Sequence, residues 1–413
     1  MRSKVLRFGF ISSYVPKKCG IATFSRDLIN GILSENGRVE LPIVAAEDPG
    51  ESYNYGEEVI SVLKTNQKNT YLEAARAFNK LDLDGVLLQH EFGLYGGDWT
   101  KFTKDGIKHN DPVGNYIFNL IDKLKMPVFT TLHTVLPQPD NVRKQVIQQL
   151  SDRSSALITM TNDSKNILET KYNIPSNKVF VIPHGVPEAV TRPRESTLNK
   201  LNLDPKNFYL VITGLISPNK GIDLVIKSLP KILDKHPNVR LLVVGETHPH
   251  ILAHEGEKYR DKLMKLAKKL SVQSSVTFIN KYIPTDTLMQ YLSASDIYMT
   301  IHRDAEQSAS GTLAYAVGTG LLTISTPYRY AQELLNNGRG FIVPFESPKS
   351  ITDTVNKLIG DSALRARTKQ KLRLYGRNME WPVVGKSYLR LIENYIKQQN
   401  RQQDTIYENP VFR

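Results

Sequence analysis

A lysine–glycine pair in the second half of the chain has the surroundings that a phosphate group requires. The segment Thr213-Gly-Leu-Ile-Ser-Pro-Asn-Lys-Gly-Ile-Asp places Lys220 and Gly221 just after a β-rich stretch, where a helix is expected to begin. The first N–H groups of a helix lack partners within it, so an ammonium group beside them completes a site for a diphosphate. Gly214 favours this interpretation over its alternative, a lysine that is only a surface charge.

A second anion site is predicted in the segment Asp304-Ala-Glu-Gln-Ser-Ala-Ser-Gly-Thr-Leu. Its small polar residues lead from a strand into a helix, whose first amides again have no intrahelical partner and lie at the positive end of the helix dipole. The donor-binding residues predicted here are Ser308, Ser310, Gly311, Thr312 and Leu313.

The first half carries a segment suited to sugars, Gln89-His-Glu-Phe-Gly-Leu-Tyr-Gly-Gly-Asp-Trp. Sugar rings stack on aromatic faces, and their hydroxyls need hydrogen-bond donors and acceptors. An internally bonded loop is an equally good alternative. His133 ends the next predicted strand at the same sheet edge, where it could bind a sugar hydroxyl or a phosphate. The predicted acceptor-binding residues are His90, Glu91, Tyr95 and Trp99.

A glycine also opens the first predicted helix, in Tyr14-Val-Pro-Lys-Lys-Cys-Gly-Ile-Ala-Thr-Phe. The backbone at Gly20 could face a phosphate or a sugar, although a turn that needs glycine only for steric reasons is the alternative. Because the G-x-G-x-x-G spacing is missing, the sequence does not support a dinucleotide-binding fingerprint.

Short β-rich runs alternate with longer amphipathic segments along the whole chain, which predicts parallel sheets covered by helices. Two such series occur, separated by a predicted linker at Pro187 to Ser196. In sheets of this kind ligands bind beyond the carboxyl ends of the strands, where the segments above fall. The predicted strands are Leu6 to Ser12, Leu41 to Ala45, Val86 to His90, Pro127 to His133, Ala156 to Met160, Val179 to Pro183, Tyr209 to Gly214, Arg240 to Gly245, Ser275 to Ile279, Ile297 to Ile301 and Leu322 to Ser325.

Composition sets the broad class of the protein. The chain has 413 residues, enough for two or three domains, and its 40% apolar and 23% charged residues exclude disordered and fibrous proteins. A single cysteine, Cys19, and no Cys/His cluster with zinc spacing predict a reducing compartment and no structural metal. No stretch reads as a signal peptide or a membrane span, so we expect a cytoplasmic protein.

The net charge of +13 predicts anionic partners, a class that includes nucleic acid, anionic lipid and phosphorylated small molecules. The densest group of basic residues lies at Lys258 to Lys269. These residues are spread along a helical segment, which favours a solvated helix face over a nucleic-acid site. Nucleic acid is therefore not expected as a partner, whereas peripheral membrane contact is compatible with the charge.

Together these motifs resemble the retaining group 1 (family 4) glycosyltransferases of the GT-B fold, an α/β class. The resemblance implies two Rossmann-like domains that face each other across a cleft. Residues 1–187, completed by a C-terminal helix at 385–400, would bind the acceptor, and residues 197–384 would bind the nucleotide-sugar. The matching segments are Cys19-Gly-Ile-Ala-Thr-Phe, Thr131-Leu-His, Val181-Ile-Pro-His-Gly-Val, Lys220-Gly, Val276-Thr-Phe, Ser293-Ala-Ser-Asp-Ile-Tyr, and Glu333 with Gly338 and Gly340.

The resemblance also implies a reaction, the transfer of a hexosyl group from a nucleoside diphosphate sugar to a carbohydrate or lipid-linked hydroxyl, with mannose favoured by the subgroup. Catalytic roles would fall on Glu306, which would hold donor hydroxyls, and on His133 and Lys220. Gly20 would leave space where acceptor and diphosphate meet. No metal or other cofactor is expected, because Lys220 and the helix N-termini would stabilise the leaving group. The Asp82-Leu-Asp84 motif is interpreted as a turn at the opposite sheet edge.

Two positions depart from the family pattern. The family reads Glu-x7-Glu, whereas Ala314 follows Glu306 at the second position, as in a bacterial subgroup. Leu215 replaces the usual arginine after Gly214, so Lys220 would bind the diphosphate alone or with Arg303 or Arg329. These departures leave two alternatives open: a GT-B glycoside phosphorylase that uses inorganic phosphate, and a non-catalytic sugar- or nucleic-acid-binding protein.

Overall fold

The structure is a computed structural model that describes residues 5–35, 39–97, 113–188 and 194–408. The chain divides into two compact units. Unit 1 is formed by Met1–Gly185 and Trp381–Arg413, and unit 2 by Val186–Glu380. Each unit is an α/β structure built on its own parallel sheet, as predicted.

Unit 1 contains a parallel sheet of eight strands. They are β1 (Leu6–Ser12), β2 (Val39–Glu40), β3 (Ile43–Glu47), β4 (Val59–Lys64), β5 (Gly85–His90), β6 (Val128–Leu132), β7 (Ala156–Thr159) and β8 (Val179–Val181). The main order is β4-β3-β1-β5-β6-β7-β8, and β2 pairs with β1. The helices are α1 (Gly20–Glu35), α2 (Lys68–Asn79), α3 (Phe118–Ile121), α4 (Asn141–Arg153), α5 (Asn162–Tyr172) and, from the end of the chain, α15 (Trp381–Glu408).

Two glycines allow α15 to pack closely against α1. A Cβ atom on Gly31 would lie 2.4 Å from the Trp381 carbonyl oxygen, and one on Gly385 would lie 2.4 Å from the Gly31 carbonyl carbon. Further along α15, the Tyr388 hydroxyl hydrogen-bonds the Thr131 hydroxyl in β6 at 3.0 Å. The last helix of the chain is therefore part of the core of unit 1.

Unit 2 contains a parallel sheet of six strands. They are β9 (Phe208–Thr213), β10 (Val239–Val244), β11 (Val276–Ile279), β12 (Ile297–Thr300), β13 (Leu322–Ser325) and β14 (Phe341–Ile342), in the order β11-β10-β9-β12-β13-β14. This is the strand order of dinucleotide-binding Rossmann domains. The helices are α6 (Arg194–Lys200), α7 (Ile222–Leu233), α8 (Pro249–Glu255), α9 (Lys258–Lys269), α10 (Thr285–Ala294), α11 (Gly311–Gly318), α12 (Arg329–Leu335), α13 (Pro348–Gly360) and α14 (Ser362–Gly376).

The strands form where the sequence supplies continuous apolar, β-branched runs, since helices cover both faces of a parallel sheet. Every residue of β5, β6, β12 and β13 is buried. The Asp82–Asp84 segment is a turn before β5, and the Asp84 carboxylate accepts a hydrogen bond from the Arg7 amide at 3.0 Å. None of the described helices has the length and apolarity that a bilayer crossing requires.

Candidate functional site

The order of strands in unit 2 fixes where a ligand is expected. The connections that leave the adjacent strands β9 and β12 run to opposite sides of the sheet, which opens a crevice beyond their carboxyl ends. Two loops border this crevice: the loop after Thr213, which leads into α7, and the loop after Thr300, which leads into α11. Both of the anion-binding segments predicted from the sequence therefore lie at this switch point.

Lys220 lies in the first of these loops, and its side chain is turned back over the end of β9. The Lys220 Nζ atom donates a hydrogen bond to the Thr213 carbonyl oxygen at 3.2 Å. Burial lowers the pKa of Lys220 to about 8, because an ammonium group loses hydration there. An anionic ligand would stabilise the ammonium form and raise this pKa again, so the site favours a negatively charged group beside this amine.

Two glycines make the Lys220 loop possible. Gly214 has φ +102°, and a Cβ atom there would lie 3.2 Å from Lys220 Nζ. Gly221 has φ +59°, and its added Cβ atom would lie 2.2 Å from the Ile301 carbonyl oxygen. A side chain at either position would disturb the lysine or the neighbouring β12 loop, which explains the glycines in physical terms.

The N-terminus of α11 provides the second part of the site. Ser310 caps this helix by accepting a hydrogen bond from the Leu313 amide at 3.3 Å. The amides of Gly311 and Thr312 have no intrahelical partner, and no acidic residue stands in the first turn to satisfy them. An added Cβ atom on Gly214 would lie 3.5 Å from Thr312 Cγ2, so the two loops meet. The site thus combines an amine with free backbone donors.

Glu306 lies in the β12–α11 loop, and its side chain is about half exposed. Its carboxylate is 3.6 Å from the Arg329 guanidinium. The loop is fixed to the start of α12, because the Arg329 amide donates to the Ala305 carbonyl and the Tyr330 amide donates to the Gln307 carbonyl. This loop, which also carries Ser308, leaves the Glu306 carboxylate accessible to a ligand.

Arg303, one of the cations considered for the diphosphate, has a structural role. Its guanidinium makes two hydrogen bonds to the Asp223 carboxylate, at 2.9 and 3.0 Å, and another to Glu346 at 2.6 Å. It also donates to the Pro218 carbonyl at 2.8 Å. Arg303 therefore holds the Lys220 loop in place, and two carboxylates already neutralise its charge.

A histidine in the loop after β12 was not among the residues predicted from the sequence. His302 is buried, and its Nδ1 atom has no hydrogen-bond partner among the described residues. Burial and the nearby Lys220 charge lower its pKa to about 3, and its ring centroid lies 5.0 Å from that of Tyr328. Its position after a central strand is the signal that could have identified it.

In unit 1, the corresponding switch point lies beyond the carboxyl ends of β1 and β5. Gly20 begins α1 there, and a Cβ atom added to it would meet no atom within 4 Å. Packing therefore does not explain this glycine, whereas close approach of a ligand to the backbone would. No acidic residue stands in the first turn of α1, so its free amides remain available.

His133 lies beside this edge in a set of aromatic rings. Its Nε2 atom is 3.0 Å from the Gln89 side-chain oxygen, and its ring makes an edge contact with Phe24 at 4.8 Å. Burial, reinforced by the proximity of His184 and His90, lowers the pKa of His133 to about 3. The imidazole is therefore neutral at physiological pH and acts as a hydrogen-bonding group, not as a cation.

The predicted acceptor residues are placed very differently from one another. His90 is 1% exposed and Tyr95 is 2% exposed, and the Tyr95 hydroxyl donates to the Gln89 carbonyl at 2.8 Å. Both side chains belong to the core and present no surface to an acceptor. The Glu91 carboxylate accepts hydrogen bonds from Thr134 at 2.5 Å and from the Phe92 amide at 2.8 Å. Trp99 lies outside the described residues.

Sequence models of two glycosyltransferase families match the chain. The model described as glycosyl transferases group 1 covers residues 193–375, which include Lys220, Glu306 and Ser310. The model described as glycosyltransferase family 4 covers residues 108–190, which include His133. The chain belongs to the group 1 glycosyltransferases. This confirms the family predicted from the sequence motifs, while the significance of Ala314 stays a prediction.

Curated relatives of this glycosyltransferase are distant. The D-inositol 3-phosphate glycosyltransferase of Segniliparus rotundus is 27% identical over 223 residues, which is 49% of this chain and 48% of the relative. The phosphatidylinositol N-acetylglucosaminyltransferase GPI3 subunit of Saccharomyces cerevisiae is 24% identical over 206 residues, which is 49% of this chain and 42% of that subunit. The chain thus spans about half the length of these relatives.

Solved structures support the GT-B fold of this glycosyltransferase over almost its entire length. A glycosyltransferase from Rickettsia africae superposes with a TM-score of 0.72 at 16% identity and covers 96% of this chain and 99% of its own. The Anabaena protein HepE, crystallised with UDP and glucose, superposes with a TM-score of 0.69 at 13% identity. The match covers 94% of this chain and 100% of HepE. At these identities the likeness establishes the fold alone.

Proposed function

We propose that this glycosyltransferase moves a hexosyl group from a nucleoside diphosphate sugar to a hydroxyl acceptor, with retention of configuration and without a metal ion. The observation that carries the proposal is the placement of the Lys220 amine and the free amides of α11 at the switch point of unit 2. An amine beside free backbone donors suits a diphosphate leaving group. The UDP complexes of the Anabaena relative, which has the same fold, support this choice of donor.

The leaving group determines what unit 2 has to do. As the bond between the sugar anomeric carbon and the phosphate oxygen stretches, negative charge builds up on the diphosphate. Lys220 and the amides of Gly311 and Thr312 would stabilise that charge, and removal of one such donor typically costs about 10²–10³ in turnover. These groups replace the charge that a metal ion would supply, which is why we propose a metal-independent reaction.

In this family, retention is explained by attack of the acceptor on the same face of the anomeric carbon from which the leaving group departs. In that scheme the acceptor oxygen bonds to the anomeric carbon, the bond to the phosphate oxygen breaks, and that oxygen takes the acceptor proton. No enzyme nucleophile is required. Glu306 would bind donor hydroxyls, and neutral His133 would accept or donate a hydrogen bond to the sugar or its phosphate.

We assign donor binding to unit 2 and acceptor binding to unit 1. The open space over Gly20 and the free amides of α1 suit a hydroxyl or phosphate group that approaches the backbone. The acceptor would be a carbohydrate or a lipid-linked sugar. Mannose carried on GDP is the donor that we would test first, followed by UDP-glucose.

The test is a turnover assay on the purified chain in the presence of EDTA. We expect nucleoside diphosphate release from one of these donors, and a drop of about 10²-fold or more for Glu306→Ala, since it would remove contacts to the reacting sugar. The matched control is Glu195→Ala, because Glu195 is an exposed carboxylate on α6.

Two results would contradict the proposal. Phosphate-dependent cleavage of a disaccharide without nucleotide binding would instead support a phosphorylase. Equal turnover of Glu306→Ala and Glu195→Ala would show that Glu306 does not contact the reacting sugar. Retention itself is read by NMR from the anomeric configuration of the product.

A further inference from the structure

A cavity lined by lysines lies on the flank of unit 2, between α7 and α9. Its volume is about 300 Å³, close to the lower limit for small-molecule sites. Tyr259, Leu263 and Leu266 of α9 form its apolar floor. Four lysines and one carboxylate complete its lining, three lysines from α9 and the other two residues from α7: Lys262, Lys265, Lys269, Lys227 and Asp223.

The lysines of α9 form a stripe along one side of the helix. Lys258, Lys262, Lys265 and Lys269 follow one another at spacings of three or four residues, and all are exposed. From Lys262 to Lys269 the stripe extends about 10 Å at the rise of an α-helix. Like charges at these spacings destabilise a helix by about 0.2–0.5 kcal/mol per pair. The stripe is thus unfavourable for the isolated fold.

The lysines of this stripe that line the cavity form no ion pair within the described part of the chain. Lys262, Lys265 and Lys269 make no hydrogen bond or ion pair with any described residue. The basic side chains around α14 differ: Arg365 donates to the Leu358 carbonyl at 2.6 Å, and Lys371 donates to the Asn337 carbonyl at 2.9 Å. The α9 lysines are therefore available to an anionic ligand.

From this geometry we propose that the α7–α9 cavity binds a soluble small molecule that carries two or more phosphate groups. Lys265 and Lys269 follow Lys262 by about 5 and 10 Å of helix rise, and Lys227 lines the same cavity from α7, so these lysines can contact separate phosphates of one ligand. The apolar floor would accept a ring or a short chain. A concave site of this size can accommodate a small ligand, whereas a flat polybasic face would suit a membrane surface.

The cavity connects to the Lys220 loop through a series of ion pairs and hydrogen bonds. The Asp223 carboxylate at its edge accepts a hydrogen bond from Lys227 at 3.0 Å and two from Arg303. Although burial opposes it, these hydrogen bonds hold the pKa of Asp223 below its usual value. Arg303 in turn donates to the Pro218 carbonyl, two residues before Lys220. A ligand that draws Lys227 away from Asp223 would therefore alter the support of the Lys220 loop.

The test is isothermal titration of the full-length chain with inorganic triphosphate. We expect two classes of sites, one at Lys220 and one in the cavity. The double variant K262A/K269A should lose the second class, with affinity reduced about tenfold or more, and K220A should lose only the first. K349A/K357A is the matched control, because it removes two exposed lysines of α13 that do not line the cavity.

Two outcomes would overturn the proposal. One is a titration in which K262A/K269A binds triphosphate like K349A/K357A, or in which the wild type shows a single class of sites that K220A abolishes. The other is triphosphate binding that survives in K262A/K269A while sedimentation with phosphatidylglycerol vesicles is lost, which would identify a membrane surface. The donor proposal is tested separately, since it depends on K220A and on turnover.

Discussion

The two units have the same kind of parallel sheet with a switch point beside its first strand, yet the side chains at the two edges differ. In unit 2 the edge carries an amine and free amides, framed by glycines at positive φ. In unit 1 it carries neutral histidines packed against aromatic rings, together with an open helix N-terminus. The fold thus fixes the place of a site, and the loop residues decide which ligand it takes.

Among the tests of this comparison, Lys220→Ala is expected to have the largest effect on turnover. Loss of the amine should lower turnover about 10²–10³-fold, because leaving-group charge is then stabilised by amides alone. Lys220→Arg should recover part of this loss, and Lys349→Ala should leave turnover unchanged. A Lys220→Ala enzyme with wild-type kcat, shown by circular dichroism to be folded, would refute the role assigned to this lysine.

A pair of glycine substitutions separates fold from function at the two edges. Gly221→Ala should lower the free energy of unfolding by about 2–4 kcal/mol, because the new Cβ atom would overlap the Ile301 carbonyl in a left-handed conformation. Gly20→Ala meets no atom within 4 Å, so its stability in urea should match or exceed that of the wild type.

Activity provides the other half of that test. If a ligand approaches the Gly20 backbone, Gly20→Ala should reduce turnover or raise KM several-fold despite its intact stability. A Gly20→Ala enzyme with unchanged kinetic constants would mean that this glycine serves only the turn into α1.

The pH dependence of nucleotide binding is the third test. Lys220, with a pKa of about 8, is charged below that pH and neutral above it in the free protein. The affinity for a nucleoside diphosphate should therefore fall above pH 8, by up to about tenfold per pH unit. Calorimetry between pH 7 and 9.5 would measure this slope. Lys220→Arg should abolish the slope, and a wild-type affinity that is flat across this range would exclude a titrating lysine.

The smallest effect concerns the buried histidines of unit 1. Burial lowers the pKa of His90 to about 3, so the folded state excludes a proton that the unfolded chain binds below about pH 6.5. The stability that this depressed pKa contributes is present above pH 6.5 and is lost as the pH falls. Between pH 6.5 and 5.5 the loss should be about 1 kcal/mol. Urea unfolding of His90→Gln should show a weaker decline than the wild type, and parallel declines would argue against a neutral His90.

The buried strands were the most predictable part of the fold. The predicted bounds of β1 and β13 match the structure, because each is a short apolar run between clear turn residues. The strands that the sequence did not reveal are β2, β4 and β14. β4 lies at the sheet edge with most of its residues only partly buried, and β2 and β14 have two residues each, so none presents a continuous apolar run.

The site was predictable to the level of loops but not of side chains. Sequence position placed Lys220 and Ser310 after the correct strands. It could not show that Arg303 is held by Asp223 and Glu346, which are distant in the chain. Nor could it show that Tyr95 is turned into the core, since an aromatic residue in a glycine-rich loop suits stacking and packing equally well.

The close contact of α15 with α1 has a consequence for biosynthesis. The glycine pair that joins these helices unites the first and last segments of the fold, and all of unit 2 is translated between them. At 5–20 residues per second, the ribosome needs roughly 10–40 s to traverse that insertion. During this interval the nascent α1 surface around Gly31 has no partner and is exposed to chaperones and proteases.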